Sequence, residues 1–304
     1  MTGLNVAQFT ALETDFAPRF EQAEATRLTR PGRRRAIGAG HPFELTRRDQ
    51  LLLTVVWLRR YPINAVLGYL FGIEETTALR TVRRVLPVLE AAGLDTMRLP
   101  DPGKWRRPGL ADLTAELPAL TVIIDTFEQA VQRPEDRAEA DTYYSGKKKR
   151  HTLKTQVAIR ADDGRVVDLP PSRPGPTADL TMLKESGLLE RLPDDVTPIG
   201  DLAYLGIDAV HPRGATPRRK PRGKPRPAED IVSNTAFARR RVPVEPTSGR
   251  LRAYQALTQT DRHHRRAHTQ RARHRRSRQS VSRRLTAAAW GEGSLPSTPI
   301  AQHL

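Results

Sequence analysis

The chain contains no cysteine among its 304 residues. This absence excludes disulfide bridges, thiolate metal sites and cysteine-based zinc fingers, and it is compatible with a cytosolic protein. The chain also lacks any run approaching the roughly 20 apolar residues that span a bilayer, and its N-terminus mixes acidic residues with isolated apolar ones. We therefore expect neither export nor membrane insertion.

Acidic residues are also in short supply. Asp and Glu total 34 against 51 Lys and Arg, which gives a net charge of +17. This excess favours a polyanionic partner, and nucleic acid fits that description. Ribosome-associated and merely basic proteins share the property, so the residue pattern has to discriminate between them. A hydrophobic content of 38% is sufficient for a core in each of two domains.

The first 42 residues are interpreted as a flexible basic lead-in. A basic patch over residues 27–35 is interrupted by Pro31 and Gly32. Both residue types interrupt regular secondary structure, so the patch is expected to be loose.

Helical periodicity over residues 43–92 predicts three successive helices. Thr46 can cap the first, and Gly72 makes a tight turn between the second and the third. Pro87 is expected to kink or end the third helix. A helix, a glycine-containing turn and a helix are the signature of a helix-turn-helix DNA-binding region.

The outer face of the third helix is predicted to offer donors for DNA phosphates or base edges. Its members are polar or cationic: Thr77, Arg80, Thr81, Arg83 and Arg84. A small helical bundle with solvated arginines is the alternative interpretation.

Residues 93–117 are rich in proline and glycine and are interpreted as a linker. Beyond them, residues 118–262 give a strand and helix order of β, β, β, α, β, α, typical of an α/β layer. Two apolar runs end at Asp125 and Asp201. Both carboxylates are therefore expected at strand ends that converge on one edge of a sheet.

Carboxylates in this arrangement suit metal-dependent phosphodiester chemistry. Hard cations such as Mg²⁺ bind oxygen ligands, and two ions roughly 4 Å apart can clamp the attacking and leaving oxygens of an in-line phosphoryl displacement. Asp125, Asp201 and Glu245 are the candidate ligands. An isolated aspartate after a strand is more often a cap or turn residue. Three other acidic residues compete on spacing alone: Glu128, Asp179 and Asp208.

Three separated blocks resemble those of DDE transposases from bacterial insertion sequences. The first block contains VIIDTFEQ at 122–129, QRP at 132–134 and YYSGKKKRHTLK at 143–154. The second block is GDLAYLG at 200–206. The third block comprises Asn234, Arg241, Val244, Glu245 and residues 249–251. The resemblance runs from about Phe43 to Arg266, and the order of the blocks makes it specific.

The resemblance implies a fold and an activity. The implied fold is an α/β, RNase H-like mixed sheet with flanking helices, preceded by a small all-α helix-turn-helix domain. The implied acidic triad is Asp125, Asp201 and Glu245, which would bind two Mg²⁺ or Mn²⁺ ions for DNA strand cleavage and strand transfer. The implied partners are double-stranded DNA, as terminal inverted repeats and target DNA, and further copies of the chain in a homo-oligomer. The implied localisation is the bacterial cytoplasm, at the nucleoid.

The resemblance also singles out cations that would contact DNA. A family signature of tyrosine, arginine, glutamate and lysine on the third-block helix falls here on Ala238, Arg241, Glu245 and Arg252. Arginine replaces the lysine and the tyrosine is missing. Arg241 and Arg252 would neutralise phosphate, although arginine and lysine are not interchangeable. Exposed arginines on a solvated helix are the alternative.

Two further basic stretches are candidate contacts for the DNA backbone. The first consists of Lys147, Lys148, Lys149, Arg150 and Lys154, with a solvated loop as the alternative. The second, over residues 213–226, is broken by prolines and is interpreted either as a phosphate-tracking arm or as a disordered one.

Two departures from the family pattern bear on activity. Pro243 and Pro246 flank Glu245, so the helix carrying it is expected to start near Val244, with Glu245 in the first turn. Residues 263–304 are interpreted as a basic tail that is disordered or degenerate, because the stretch from 262 to 284 holds ten Arg, four His and no acidic residue. The alternatives to an active transposase are a decayed DNA-binding relic that only occupies element ends and a nuclease that cuts without strand transfer.

Overall fold

The computed structural model describes residues 1–29, 31, 32, 34, 36, 37, 42–96, 121–162, 164–242 and 244–261. These residues form two compact units. The helical unit comprises the described residues up to Thr96 together with Arg252–Gln259, and the α/β unit comprises residues 121–251 together with 260 and 261. Most of the predicted linker, 97–117, and the predicted tail, 263–304, lie outside the described residues.

The lead-in that was expected to be flexible contains a helix, α1 (Val6–Leu28). Asn5 and Gln8 form a capping box at its N-terminus. Its buried side chains recur at helical spacing: Phe9, Leu12, Phe16 and Phe20. The prediction was wrong because this apolar stripe precedes the basic patch and supplies the burial that a flexible segment lacks.

The three predicted helices of the next region are present. They are α2 (Arg47–Arg60), α3 (Asn64–Phe71) and α4 (Glu75–Thr96). Thr46 is the N-cap of α2, since its hydroxyl accepts a hydrogen bond from the backbone amide of Asp49 at 3.1 Å. Gly72 ends α3 with a φ of 66°, a left-handed conformation that favours glycine.

Two details of α4 bear on the prediction. Of the two outcomes expected at Pro87, a kink or an end, the structure excludes the end: the helix continues to Thr96, because buried residues beyond the exposed Pro87 continue the packed face, namely Val88, Leu89 and Ala92. Thr81 was expected on the outer face, yet it is only 3% exposed. It lies three residues after Ala78 and four before Val85, on the buried stripe of the helix.

Removing the cap of α2 should destabilise the helical unit. We expect Thr46→Ala to lower the free energy of unfolding by about 1 kcal/mol, because a first-turn amide loses its acceptor. Thr46→Ser keeps the hydroxyl and should be close to the wild type. Chemical denaturation of the full chain measures both, and an equal loss in the two variants would contradict the role of the hydroxyl.

The α/β unit is built on a six-stranded sheet. Its strands are β1 (Thr121–Ala130), β2 (Tyr144–Ser145), β3 (Arg150–Arg160), β4 (Val166–Asp168), β5 (Arg173–Pro174) and β6 (Thr197–Ile199). The order is β2-β3-β1-β6, and β4 and β5 also pair with β3. Because β1 is antiparallel to β3 and parallel to β6, the sheet is mixed.

Helices flank this sheet. They are α5 (Arg137–Tyr143), α6 (Asp179–Glu185), α7 (Leu188–Arg191), α8 (Ala228–Arg241) and α9 (Val244–Arg252), while α10 (Gln255–Thr258) belongs to the helical unit. The predicted helix over 177–192 is divided in two at Gly187, whose φ is 64°. One core joins sheet and helices through Val122, Ile124, Ala158, Val167, Leu183, Leu188, Leu189, Leu192, Val196, Tyr204 and Ile207.

The architecture confirms the predicted fold class. A mixed sheet with flanking helices follows N-terminal helices, as expected for a helix-turn-helix region before an RNase H-like domain. Within the described ranges, no helix has the length and apolar character required to cross a membrane.

Candidate active site

The sheet register brings two of the three predicted acidic residues to one level. Strands β1 and β6 run parallel, with Ile123 opposite Ile199. Asp125 and Asp201 each come two residues after this pair. Residues at the same level of neighbouring parallel segments carry their side chains side by side, so the two aspartates lie at the same edge of this strand pair.

Asp125 lies within a strand, although the sequence predicted it at a strand end. Strand β1 continues five residues beyond it, to Ala130, paired throughout with β3. The polar half of β1 is stable there because it has cross-strand partners: the hydroxyl of Thr152 donates to Glu128 Oε2 at 2.7 Å. Asp201 does follow the end of β6.

The backbone around Asp201 is fixed by its neighbours. Its Oδ1 accepts a hydrogen bond from the amide of Ala203 at 2.9 Å, and its carbonyl accepts one from the amide of Tyr204 at 3.0 Å. The ring of Tyr204 packs on Gly200, where an added Cβ would lie 2.5 Å from the ring Cδ2. Only glycine fits this position, and the close packing holds the aspartate beside β1.

Three carboxylates affect the buried side chain of Tyr204. Burial raises the pKa of Tyr204, and the carboxylates of Asp179, Asp125 and Asp201 raise this pKa further. The phenol is therefore neutral. Neighbouring carboxylates favour a bound cation, and one of these three, Asp179, already has the ammonium of Lys154 as its partner. Among side chains that the structure describes, no three His, Asp or Glu are already grouped as a metal site.

Helix α9 packs against the sheet close to Asp125. The hydroxyl of Ser248 donates to Asp125 Oδ2 at 3.5 Å, a weak contact, and that of Thr247 donates to the carbonyl of Gly164 at 2.9 Å. Glu245 lies on α9, three residues before Ser248. The predicted helix start at Val244 is confirmed, while the side chain of Glu245 lies outside the described part of the chain.

Arg241 reaches the site from a different helix. It is the last residue of α8, and its Nη2 lies 3.9 Å from Asp125 Oδ1. The four signature positions are therefore divided: Ala238 and Arg241 are on α8, whereas Glu245 and Arg252 are on α9. The resemblance had placed them on one helix. Pro243, which has no amide hydrogen to continue a helix, stands between the two in the sequence.

The predicted lysine run is exposed at a hairpin tip. Ser145 of β2 pairs with Arg150 of β3, and the residues between them are exposed: Gly146, Lys147, Lys148 and Lys149. Lys149 has a φ of 53°, which is uncommon for a residue other than glycine. The hairpin presents four successive cations to solvent.

Lys154 has protein partners instead. Its Nζ donates to Asp179 Oδ1 at 2.7 Å and to the carbonyl of Thr177 at 2.6 Å. The lysine side chain is 12% exposed and the aspartate side chain 15%. The pair connects β3 to the start of α6, so Lys154 is separated from the exposed run with which it was predicted.

The three arginines predicted on α4 also differ from one another. Arg80 and Arg83 are exposed. Arg84 lies over the ring of Phe43, 3.8 Å from its centroid, and donates to Gln50 Oε1 at 3.0 Å. Burial lowers its pKa, against an opposing effect of Glu24. Arg84 therefore packs within the helical unit.

Comparisons with known proteins cover both units. Residues 124–282 match the family described as DDE superfamily endonuclease. Residues 43–94 match the helix-turn-helix of DDE superfamily endonuclease. A probable transposase for insertion sequence element IS702 from Microchaete diplosiphon is 28% identical over 239 residues, which cover 78% of each chain. No solved structure gives a significant match.

Proposed function

We propose, from the premise that this chain belongs to the DDE superfamily of endonucleases, that it is a transposase that cleaves DNA strands at insertion-sequence ends and transfers them to target DNA. The observation that carries the proposal is the register of β1 and β6, which sets Asp125 level with Asp201. The contact between Ser248 and Asp125 supports it, because it brings the helix that carries Glu245 to the same edge.

We propose further that Asp125, Asp201 and Glu245 bind two Mg²⁺ or Mn²⁺ ions. Carboxylate oxygens are the ligands these ions prefer. The carboxylates whose charge raises the pKa of Tyr204 include both aspartates, so a cation would find compensating charge there. When bound, such ions supply electrostatic stabilisation of the transferring phosphate and a lower pKa for the attacking water.

The chain's own groups have roles in both steps. In cleavage, the water oxygen bonds to phosphorus while the bond from phosphorus to the 3′ oxygen breaks, and a proton passes from the water to the leaving oxygen. In transfer, the oxygen of the freed 3′ hydroxyl bonds to a target phosphorus while the bond from that phosphorus to the target's 3′ oxygen breaks, and the hydroxyl proton passes to the released oxygen. Arg241, beside Asp125, would neutralise phosphate charge. The amide of Ala203 holds Asp201 in a fixed orientation.

DNA recognition is assigned to both units in this proposal. Residues 43–92 would bind the terminal inverted repeats through Arg80 and Arg83. The catalytic domain at about 118–262 would bind the phosphate backbone of the DNA through the hairpin lysines. Arg252 would contribute a further phosphate contact. A homo-oligomer would hold two element ends together. A protein that acts on chromosomal DNA would work in the cytoplasm, at the nucleoid.

A decayed DNA-binding relic is the second candidate. The observation that favours it is the start of α9 at Val244, which places Glu245 in the first turn of the helix, between two prolines in the sequence. This position differs from an interior helical one, and a shifted carboxylate would leave binding intact without the chemistry.

The test is an assay of the purified full chain on duplex DNA carrying the element's own ends, with Mg²⁺, Mn²⁺ or EDTA. We expect cleavage with either metal, none with EDTA, and joined products when target DNA is added. Specific binding without cutting would support the relic. Cutting without joined products would support a nuclease.

Recognition by α4 gives a separate prediction. Arg80→Ala should weaken binding to element ends by roughly 5- to 150-fold if the arginine reads a base edge, which corresponds to about 1–3 kcal/mol. Arg137→Ala, which removes an exposed arginine from α5, is the control. Equal affinities of the two variants in a gel-shift titration would show that Arg80 does not contact the DNA.

A further inference from the structure

Residues 213–227, called here the basic loop, pair with the sheet near their start. Ala215 pairs in parallel with Ile199 of β6. Its amide donates to the carbonyl of Pro198 at 3.0 Å, and its carbonyl accepts from the amide of Gly200 at 3.1 Å. Because this pairing is parallel, the basic loop leaves the sheet in the same direction as the segment from Ile199 to Asp201.

The basic loop is then anchored to α8. The amide of Arg218 donates to Asn234 Oδ1 at 2.7 Å, and Asn234 Nδ2 donates to the Arg218 carbonyl at 3.0 Å. The Arg218 guanidinium pairs with Asp230 at 3.0 Å. One asparagine therefore satisfies both main-chain groups of Arg218, as a neighbouring strand would. The same helix ends at Arg241, 3.9 Å from Asp125.

These contacts decide between the two interpretations of the stretch. A disordered arm would have no fixed path, yet the basic loop is fixed at Ala215 and at Arg218. Its start adjoins the strand before Asp201, whereas its cations beyond Arg218 lead into the N-terminal end of α8, about 20 Å along that 14-residue helix from Arg241. The basic loop is therefore attached on both sides to elements of the carboxylate site.

Beyond the anchor the loop presents only positive charge. Its cationic side chains are all exposed: Arg219, Lys220, Arg222, Lys224 and Arg226. Gly223, with a φ of 72°, forms a turn between Arg222 and Lys224. Prolines at 221 and 225 remove amide donors and stiffen the chain. A stiff, anchored segment loses less conformational entropy on binding than a flexible one.

We propose that the basic loop binds the phosphate backbone of the DNA strand that enters the carboxylate site, without reading its sequence. The proposal rests on the proposed function, which identifies that site as the place of cleavage. Clustered lysines and arginines without acidic neighbours in the segment are suited to phosphates. The loop is attached to β6 and α8, the elements next to Asp201 and Asp125. We therefore expect its cations to contact the strand being cut rather than distant DNA.

Salt dependence of binding tests the charge. The full chain is titrated with a fluorescent duplex carrying an element end, in EDTA, at a series of KCl concentrations. Each neutralised phosphate contributes about 0.9 to the slope of log K against log salt concentration. Arg222→Ala/Lys224→Ala should therefore reduce the slope by about 1.8. The matched control is Arg137→Ala/Lys184→Ala, which removes one arginine and one lysine from exposed helical positions.

The control should retain the wild-type slope, and a loop variant that also retains it overturns the proposal. The outcome is separable from the proposed function. Wild-type cleavage with an unchanged slope in the loop variant refutes only the loop, and a reduced slope without any wild-type cleavage refutes only the chemistry.

Position can be tested because the chain has no cysteine. Arg222→Cys provides a single thiol for an iron chelate that cuts nearby DNA by hydroxyl radicals. Cuts should fall on the backbone within ~34 Å, one helical turn of DNA, of the cleavage position at the element end. The control is Asp194→Cys, an exposed position before β6 and therefore at the opposite end of that strand from Asp201. Identical cutting patterns from the two positions, or cuts from Arg222→Cys that are confined to distant DNA, would contradict the proposal.

Discussion

Asp201→Asn should reduce the rate of metal-dependent DNA cleavage by on the order of 10³-fold, the equivalent of about 4 kcal/mol of transition-state stabilisation. Asparagine keeps an Oδ1 acceptor for the amide of Ala203, so the turn after β6 should persist. What is lost is the negative charge that a divalent cation requires. Single-turnover cleavage at saturating protein separates this loss from any change in DNA affinity.

Asp208→Asn is the matched control, since Asp208 is an exposed carboxylate on the next turn of the same segment, Ile207–Ala209. It should cleave at the wild-type rate. Asp208 also competed with Asp201 as a ligand on sequence spacing. The opposite result, activity in Asp201→Asn and none in Asp208→Asn, would reverse the assignment of the second ligand.

Gly200→Ala should impair both stability and cleavage. The new Cβ would lie 2.5 Å from Tyr204 Cδ2, 2.7 Å from Cγ and 2.8 Å from Cβ. The ring is 1% exposed and has little room to move. We expect the free energy of unfolding to fall by about 1–3 kcal/mol, as in overpacked cores. A displacement of Asp201 by about 1 Å would slow cleavage by roughly 10²-fold.

Gly249→Ala is the stability control, because nothing lies within 4 Å of a Cβ added there and the residue is in the helix α9. Its free energy of unfolding should be unchanged or raised by up to about 1 kcal/mol. A double-mutant cycle of Gly200→Ala with Tyr204→Ala should show losses smaller than their sum, since the ring that clashes has been removed. Additive losses would mean that the ring does not fix Gly200.

The local features of the fold could be predicted from the sequence. The apolar runs before Asp125 and Asp201 predicted buried strands, and the cap at Thr46 and the turn at Gly72 bounded helices. These features depend on neighbouring residues. The sequence prediction missed the helix α1, although its apolar residues from Phe9 to Phe20 recur at helical spacing. The reason is that the flexibility expected of the basic patch after it was extended to the whole N-terminal segment.

The long-range contacts of the site could not be predicted in the same way. Ser248 meets Asp125 across 123 positions of the chain, and Lys154 meets Asp179 across 25. Neither contact leaves a periodic signal, because each arises only when separate elements pack. The family resemblance supplied the candidate triad, but it did not indicate that α8 ends at Arg241 or that the basic loop is anchored through Asn234.

Substitution of Glu245, which lies between Pro243 and Pro246, tests most directly whether Asp125, Asp201 and Glu245 form one working site. The measurement is cleavage of DNA carrying the element's own ends by the wild type and by Glu245→Gln, each with Mg²⁺ and with EDTA, at equal DNA occupancy. We predict metal-dependent cleavage by the wild type and binding without cleavage by Glu245→Gln. Equal cleavage by both proteins, or binding without cleavage by the wild type, would contradict the claim.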